Sequence, residues 1–350
     1  MGQLTAPVVY GNDDRVEVYN HPSAALRDIA RRSIVSLIRT TQLERGPDGR
    51  YVIFSIALRD AKNLCEDELF VDQPTAANCS GVLIDDDLVL TAGHCMRTQA
   101  NCNTTSFVFN YYLEGPSELA SIDDDDVYTC AGVLLRDESG PMAITPDFAI
   151  VQLDRPVTGG HRPAPLRPAA ATLEQGESIA MIGFGSGLPA KIDSGGSVSD
   201  PRPTSLDYFV VNADAFAGHS GSAVFDSQDE LAGILVAGRA PDYTTLPGEA
   251  CDRVNTFDND QGGEFIHYFA PIVAALCDEN LGDENLCGDT ACDGQPCGQK
   301  APEVEPPPSN VTEVSASGCD VGAGNPGLGS IAWVVFALWV ISRRSRRSAA

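Results

Sequence analysis

Three residues of this 350-residue chain have the types and the local surroundings that serine-based acyl transfer requires. His94 ends the stretch Leu-Val-Leu-Thr-Ala-Gly-His, Asp147 opens the apolar run Asp-Phe-Ala-Ile-Val, and Ser220 lies in Gly-His-Ser-Gly-Ser. Serine is a weak nucleophile at neutral pH and needs a base within hydrogen-bond reach. The base in turn needs a third group that fixes its tautomer and stabilises its cation. The pattern predicts Ser220 as nucleophile, His94 as general base and Asp147 as the orienting carboxylate.

Each of these residues also has an ordinary structural explanation. A histidine after a strand is often structural, an aspartate before a strand often belongs to a turn, and Gly-x-Ser-Gly occurs by chance in glycine-rich loops. Their joint presence, in the order His, Asp, Ser and within one all-β pattern, favours catalysis. The glycines around the serine predict an oxyanion hole made by the N–H groups of Gly218 and Ser220, where losing one donor typically costs about 3–4 kcal/mol in the transition state.

The elements that must position these residues are predicted to be β-strands. Apolar runs of four to eight residues recur between residues 33 and 238, and clusters of Gly, Pro, Asn and Asp separate them. Short length, β-branched content and turn-rich flanks favour strands over helices. Within residues 1–277, helices are expected at Ser23–Arg32 and around residues 271–277, where Ile272, Val273 and Leu276 give one apolar face.

Composition divides the chain into three predicted parts. Residues 1–277 carry the strand pattern, and residues 278–318 contain nine acidic residues, one lysine, five glycines and five prolines. Such a segment cannot build a core, which predicts an extended, disordered stalk pinned in its first half by its cysteines. Residues 319–350 combine Cys319, a glycine-rich spacer, eleven apolar residues from Ile331 to Ile341 and four arginines.

The last segment is short for a permanent membrane span. Eleven helical residues cover roughly 16 Å, against a hydrocarbon core near 30 Å. The arginines that directly follow the apolar run predict membrane insertion of a C-terminal hydrophobic helix with the basic end on the cytoplasmic side. The layout resembles the C-terminal sorting segments of bacterial surface proteins, the myxobacterial type in particular, which would make Cys319 the sorting cysteine.

Charge and cysteine usage limit the class of protein. A net charge of −26 argues against nucleic acid as a partner, because phosphate binding needs a basic surface. Eleven cysteines without CxxC spacing favour disulfides over zinc and therefore an oxidising compartment. Residues 1–20 have no secretory-signal pattern, but the cysteines and the tail still predict export to the cell surface or the extracellular space.

The motifs together are similar to those of trypsin-like serine endopeptidases, and locally to the bacterial glutamyl endopeptidase branch. The resemblance covers about residues 8–277 and implies a chymotrypsin-like fold of two antiparallel six-stranded β-barrels. The triad would lie between the barrels, with His94 and Asp147 on the first and Ser220 on the second. The sequence from Val8 to Arg15 resembles a mature N-terminus of that branch, so an amine at Val8 would complete the specificity pocket.

The resemblance also implies a disulfide between Cys79 and Cys95, which would staple the histidine loop and contribute roughly 3 kcal/mol. Two further pairs are predicted on weaker grounds, Cys102–Cys130 and Cys251–Cys277. With Cys319 reserved for sorting, ten cysteines remain, an even number that can pair completely.

Three residues bear on the specificity pocket and leave the substrate preference open. Leu235 stands where the glutamyl branch has a histidine, and a leucine cannot hydrogen-bond a substrate carboxylate. Arg239 is a candidate partner for an acidic side chain, although an exposed loop arginine is the commoner case. Asp214, six residues before Ser220, has the offset of an aspartate that selects Arg or Lys, and its alternative role is to cap a turn.

The sequence thus predicts an exported serine endopeptidase that acts on proteins or peptides through an acyl-enzyme. We expect a monomer that contacts membrane through its C-terminal segment and needs no cofactor or metal. The alternative is a catalytically silent binding or adhesion protein on the same fold, displayed by its stalk.

Overall fold

The computed structural model describes residues 9–138, 146–168, 171–238, 241–258, 263–282 and 286–287. Its strands, in chain order, are β1 (Val9–Tyr10), β2 (Arg15–Glu17), β3 (Ile34–Arg39), β4 (Leu43–Arg45), β5 (Tyr51–Ile53), β6 (Ile56–Ala57), β7 (Pro74–Thr75), β8 (Ala77–Leu83), β9 (Leu88–Thr91), β10 (Thr105–Val108), β11 (Leu113–Gly115), β12 (Glu118–Leu119), β13 (Val127–Glu138), β14 (Asp147–Leu153), β15 (Ala180–Gly183), β16 (Lys191–Asp193), β17 (Val198–Asp200), β18 (Tyr208–Val211), β19 (Ala223–Phe225), β20 (Leu231–Ala237), β21 (Tyr243–Thr245), β22 (Asp252–Val254), β23 (Thr256–Phe257) and β24 (Glu264–Tyr268). The α-helices are α1 (Ala24–Arg32), α2 (Leu58–Lys62), α3 (Gln99–Thr104) and α4 (Phe269–Asp278). Single 3-10 turns cover Val18–Asn20, Thr40–Gln42, Gly93–Met96 and Gly185–Gly187.

Six strands close into the first barrel in the order β10-β13-β14-β9-β8-β3. Successive side chains of a strand point to opposite faces, and in β14 both faces are apolar. Ala149, Val151 and Leu153 pack in one buried cluster with β3, β9 and β10, whereas Phe148 and Ile150 pack in the cluster shared with the second half of the chain. Burial on both sides explains why this strand is a continuous apolar run.

The second half forms an eight-stranded sheet in the order β17-β18-β24-β20-β19-β15-β16-β2. An isolated bridge between Ser178 and Ser197 joins the segments that enter β15 and β17, so the sheet curls back on itself there. The prediction of a chymotrypsin-like all-β fold is therefore confirmed; the described residues form one closed six-stranded barrel and, in place of the second, this curled eight-stranded sheet. β16 and β2 extend the second sheet at one edge. β2 belongs to the N-terminal segment and pairs with β16, with Val16 opposite Ile192.

The two helices predicted within residues 1–277 are present. The Ser23 side chain accepts a hydrogen bond from Leu26 N at 3.2 Å and so caps α1, which buries Leu26, Ile29 and Ala30. Pro271 lies in the first turn of α4, where an N–H group would have no partner within the helix, and Ile272, Val273 and Leu276 are buried. Among the described residues, no helix is long and apolar enough to cross a membrane.

Four disulfides connect the described residues. The predicted pairs Cys79–Cys95 and Cys102–Cys130 are present. The predicted Cys251–Cys277 pair is wrong, because Cys251 bonds to Cys65 and Cys277 bonds to Cys287.

Backbone contacts account for the corrected pairings. Cys65 N donates to Asp252 O at 3.0 Å, and Asp252 N donates to Asn63 O at 2.8 Å, so the two segments run side by side. At the end of α4, the chain turns back at Gly282, where an added Cβ would lie only 2.5 Å from Cys287 Sγ. The remaining cysteines, including Cys319, and the predicted tail lie outside the described residues.

Candidate active site

His94 lies in a tight turn that follows β9. The turn sits on the end of the β13–β14 ladder, and Gly93 permits this close approach. A Cβ added at Gly93 would lie 2.6 Å from Asp137 O and 2.9 Å from Asp147 Oδ1, closer than real Cβ contacts. The next residue, Cys95, is bonded to Cys79 of β8, so this disulfide also fixes the turn that carries His94.

Asp147 and Ser220 meet the two ring nitrogens of His94. Nδ1 donates to Asp147 Oδ2 at 2.7 Å, and Nε2 accepts from Ser220 Oγ at 2.7 Å. The backbone N–H of His94 also donates to Asp147 Oδ1 at 2.8 Å. Since an ionised carboxylate only accepts hydrogen bonds, the neutral imidazole carries its proton on Nδ1 and offers Nε2 to the serine hydroxyl.

The electrostatics of the pair favour an ionised Asp147. Burial by itself would raise the pKa of this carboxyl, but the hydrogen bonds and charge of His94 outweigh burial and lower the pKa. The Asp147 side chain is 10% exposed and that of His94 is 25% exposed. A largely dry carboxylate next to a partly open imidazole stabilises the imidazolium that forms when the base takes a proton.

Two glycines with positive φ shape the turn around Ser220, Gly218 at 103° and Gly221 at 84°. Within this turn, His219 N donates to Phe216 O and Ser222 N donates to His219 O. The N–H groups of Gly218 and Ser220 have no hydrogen-bond acceptor in the part of the chain that the structure describes. The turn thus leaves free the two donors that the sequence predicts for an oxyanion hole.

The first barrel fixes the position of the serine turn through Ser80. Ser80 N donates to Ser220 O at 2.8 Å, and Ser80 Oγ donates to Gly218 O at 2.9 Å. Sequence analysis missed this residue, and it also missed Asp242, whose Oδ2 accepts from Ala217 N at 2.8 Å. No distinctive sequence signal marks Ser80, because β8 contains a second polar residue, Asn78; in the fold Ser80 is fully buried.

His219, directly before the nucleophile, has a structural role. Burial, with Arg15 and Lys191 nearby, lowers the pKa of its imidazole to about 3. Its Nδ1 accepts from Phe216 N at 3.0 Å, which shapes the same turn. A neutral ring with this geometry is not a second base for Ser220.

The structure describes two of the three predicted pocket residues, Asp214 and Leu235, and both are buried. Asp214 is buried, and its two carboxylate oxygens accept from the backbone N–H groups of Tyr10 and Asp14 at 2.9 and 2.8 Å. Burial and the neighbouring Asp193 raise the pKa of Asp214, so this side chain anchors the N-terminal segment rather than presenting a charge. Leu235 is buried in the apolar core of the second sheet, and Arg239 and Val8 lie outside the described residues.

Two groups of side chains within the described residues have metal-ligand spacing. One contains Cys79, His94 and Cys95, and the other contains Cys65, Glu249 and Cys251. All of these cysteines are in disulfides, so none supplies a thiolate.

A family model matches the part of the chain that carries this geometry. Residues 79–234 match the trypsin-like peptidase domain. The matched range includes His94, Asp147 and Ser220, the three side chains that the fold brings into hydrogen-bond contact.

Solved structures of similar fold include a Glu endopeptidase in complex with MPD, at 18% identity and a TM-score of 0.45, covering 76% of this chain and 96% of that chain. Human heparin binding protein is similar at 15% identity and a TM-score of 0.44, covering 74% of this chain and 91% of that chain. No curated protein matches the chain.

Proposed function

We propose that this protein is a serine endopeptidase that hydrolyses peptide bonds through an acyl-enzyme on Ser220. The observation that carries the proposal is the continuous hydrogen-bonded chain from Asp147 through His94 to Ser220, with 2.7 Å at each link. Both distances are within the reach required for proton transfer. The trypsin-like peptidase domain match over the same residues supports this chemistry.

In the proposed reaction, His94 Nε2 takes the Ser220 proton as Oγ attacks the carbonyl carbon of the scissile peptide bond. The carbonyl oxygen becomes an oxyanion that the N–H groups of Gly218 and Ser220 stabilise. The imidazolium gives its proton to the leaving amine, and the C–N bond breaks to form the acyl-enzyme. Water then attacks the ester with His94 again as base, which releases the acid and restores Ser220.

Export is part of the proposal. Four disulfides within the described residues are expected of an oxidising compartment and unusual in the cytosol. We propose that the enzyme is held at the cell surface or released from it by its C-terminal segment, with Cys319 as the sorting residue. We further propose that it acts as a monomer on proteins or peptides, without binding nucleic acid.

The catalytic proposal is tested with a fluorophosphonate label on the oxidised full-length chain and on Ser220→Ala. We expect the wild type to be labelled and to cleave a denatured protein substrate, and the variant to do neither. The matched control is Ser227→Ala, which removes an exposed hydroxyl from the turn after β19. An unlabelled, folded wild type would instead support a silent binding protein.

The export proposal is tested by locating the tagged chain and its Cys319→Ser variant in the cells that make it. We expect wild-type protein to be accessible to an external protease, and the variant to lose its retention at the surface. Cytoplasmic wild-type protein with reduced cysteines would contradict export.

A further inference from the structure

His267 lies against the backbone of Asp147, whose carboxylate contacts His94. It belongs to β24 of the second sheet, is 4% exposed, and accepts a hydrogen bond at Nδ1 from Asp147 N at 3.1 Å. Asp147 and Glu138 form the last residue pair of the β13–β14 ladder. His267 therefore supplies the acceptor for a buried N–H group at the point where the ladder ends.

The bond defines the protonation state of His267. A backbone N–H can only donate, so Nδ1 must be unprotonated and the ring proton must be on Nε2. Burial lowers the pKa of His267, while Asp147, Asp207 and Asp137 oppose this effect. Asp147 belongs to β14, Asp137 to β13, and Asp207 to the turn before β18. Asp137 and Asp207 line a cavity of about 240 Å³ together with His267.

We propose that His267 is a positioning residue for the triad: its neutral Nδ1 holds the Asp147 backbone so that the carboxylate meets His94. This inference rests on the proposed peptidase function. The same bond joins the second sheet, which presents Ser220, to the first barrel, which presents His94 and Asp147. Protonation of Nδ1 would place two donors against each other and release the Asp147 backbone, so falling pH weakens the arrangement.

Asn and Gln have similar polarity, so comparing them at position 267 separates the hydrogen-bonding role of His267 from the filling of space. In His267→Asn, the amide oxygen occupies the position of Nδ1 and can accept from Asp147 N. In His267→Gln, the amide oxygen reaches the position of Nε2 and leaves the N–H group without its partner. We expect the Asn variant to keep most of kcat and the Gln variant to lose on the order of 100-fold in kcat with KM little changed.

The matched control is His21, another buried histidine whose Nδ1 accepts from a backbone N–H group, that of Ser23 at 3.2 Å. His21→Asn and His21→Gln should both keep the wild-type kcat, because His21 has no contact with the triad. If His267→Gln does not fold, His267→Leu replaces it as the variant without an acceptor. Equal kcat in the Asn variant and the acceptor-deficient variant would overturn the proposal.

A second measurement does not depend on turnover. The proton on His94 Nδ1, in its hydrogen bond with Asp147, is read by its low-field NMR resonance in the full-length chain. We expect the resonance in the wild type and in His267→Asn, and its loss or shift in His267→Gln. An unchanged resonance in the Gln variant overturns the positioning role, whereas failure of the fluorophosphonate to label the wild type overturns the peptidase function alone.

Discussion

At the scale of single residues, the candidate site depends on a few polar atoms that each have one well-placed partner. His94 uses both ring nitrogens, Asp147 uses both carboxylate oxygens, and Ser80 ties the serine turn to the first barrel. Glycine is required where these groups approach closely. At Gly218, a Cβ would lie 2.7 Å from Phe184 O, on a backbone with a φ of 103° that side chains rarely adopt.

Gly218→Ala should therefore reduce activity strongly. The added Cβ must push the turn away from Phe184, which moves a predicted oxyanion donor, and we expect kcat to fall by about 100- to 1,000-fold. The measurement is steady-state cleavage together with the rate of fluorophosphonate labelling. Gly132→Ala is the matched control, because no atom lies within 4 Å of its added Cβ and its φ is not positive. Loss of activity in both variants would contradict the explanation.

At the scale of elements, two segments outside the first barrel and the second sheet, called insertions here because they separate strands of those sheets along the chain, flank the N-terminal segment and the turn that carries Ser220. One insertion contains β4 to β7 and the other contains β21 to β23, and the Cys65–Cys251 disulfide joins them. Val9 and Phe216 pack together with Tyr243 and Val254 of the second insertion. β1 pairs with β23 in parallel, so the second insertion also holds the N-terminal segment. This assembly adjoins the turn before Ser220, where substrate selection is expected.

Removing this disulfide should affect substrate binding more than chemistry. We expect the Cys65→Ala, Cys251→Ala double variant to lose about 2–5 kcal/mol of unfolding free energy, because the bond closes a long loop. KM should rise while kcat changes less, since no hydrogen bond among the described residues joins His94, Asp147 or Ser220 to either insertion. The measurements are denaturant unfolding and steady-state kinetics.

The control for this prediction is Cys277→Ala with Cys287→Ala. That pair closes a loop with a sequence separation of 10, against 186 for Cys65–Cys251, and it lies at the end of α4. A rise in KM of equal size in the control pair would show that the effect is not specific to the insertions.

At the scale of the whole molecule, ionisable groups are buried beside the interface between the two halves. His219, Arg15, Lys191 and Asp214 are all at least nine-tenths buried. The ring of Phe216 lies under the Arg15 guanidinium at 3.7 Å, and Lys191 Nζ lies 3.2 Å from Glu17 Oε2. The stability of the folded protein must therefore depend on pH through these groups.

For His219, the direction in which stability changes with pH is defined. Its pKa is lowered from 6.5 in the unfolded chain to about 3 in the folded protein, so its contribution to stability is present above pH 6.5 and is lost as pH falls toward 3. We expect His219→Asn, which keeps an acceptor for Phe216 N, to remove a slope of up to about 1.4 kcal/mol per pH unit in that window. Unfolding free energies measured across the window check this, and parallel curves for wild type and variant would contradict it.

The sequence by itself predicted the chemistry that we propose for this protein. Histidine after an apolar strand, aspartate at the start of a buried strand and serine between glycines are local signals, because each depends on its immediate neighbours. Patterns of the same local kind, or the family resemblance that those motifs supported, also predicted the strand-rich fold, two of the four described helices (α1 and α4), and the short-range disulfides Cys79–Cys95 and Cys102–Cys130.

Only the tertiary structure decided which distant residues meet. Cys65 is 186 residues from Cys251, and His267 is 120 residues from Asp147, so no local pattern links either pair. The role of Asp214 was also open in the sequence, because a carboxylate can select a substrate or cap a backbone. The fold decided it by burying that carboxylate against the N–H groups of the N-terminal segment, since a buried acceptor must find donors wherever the packing brings them.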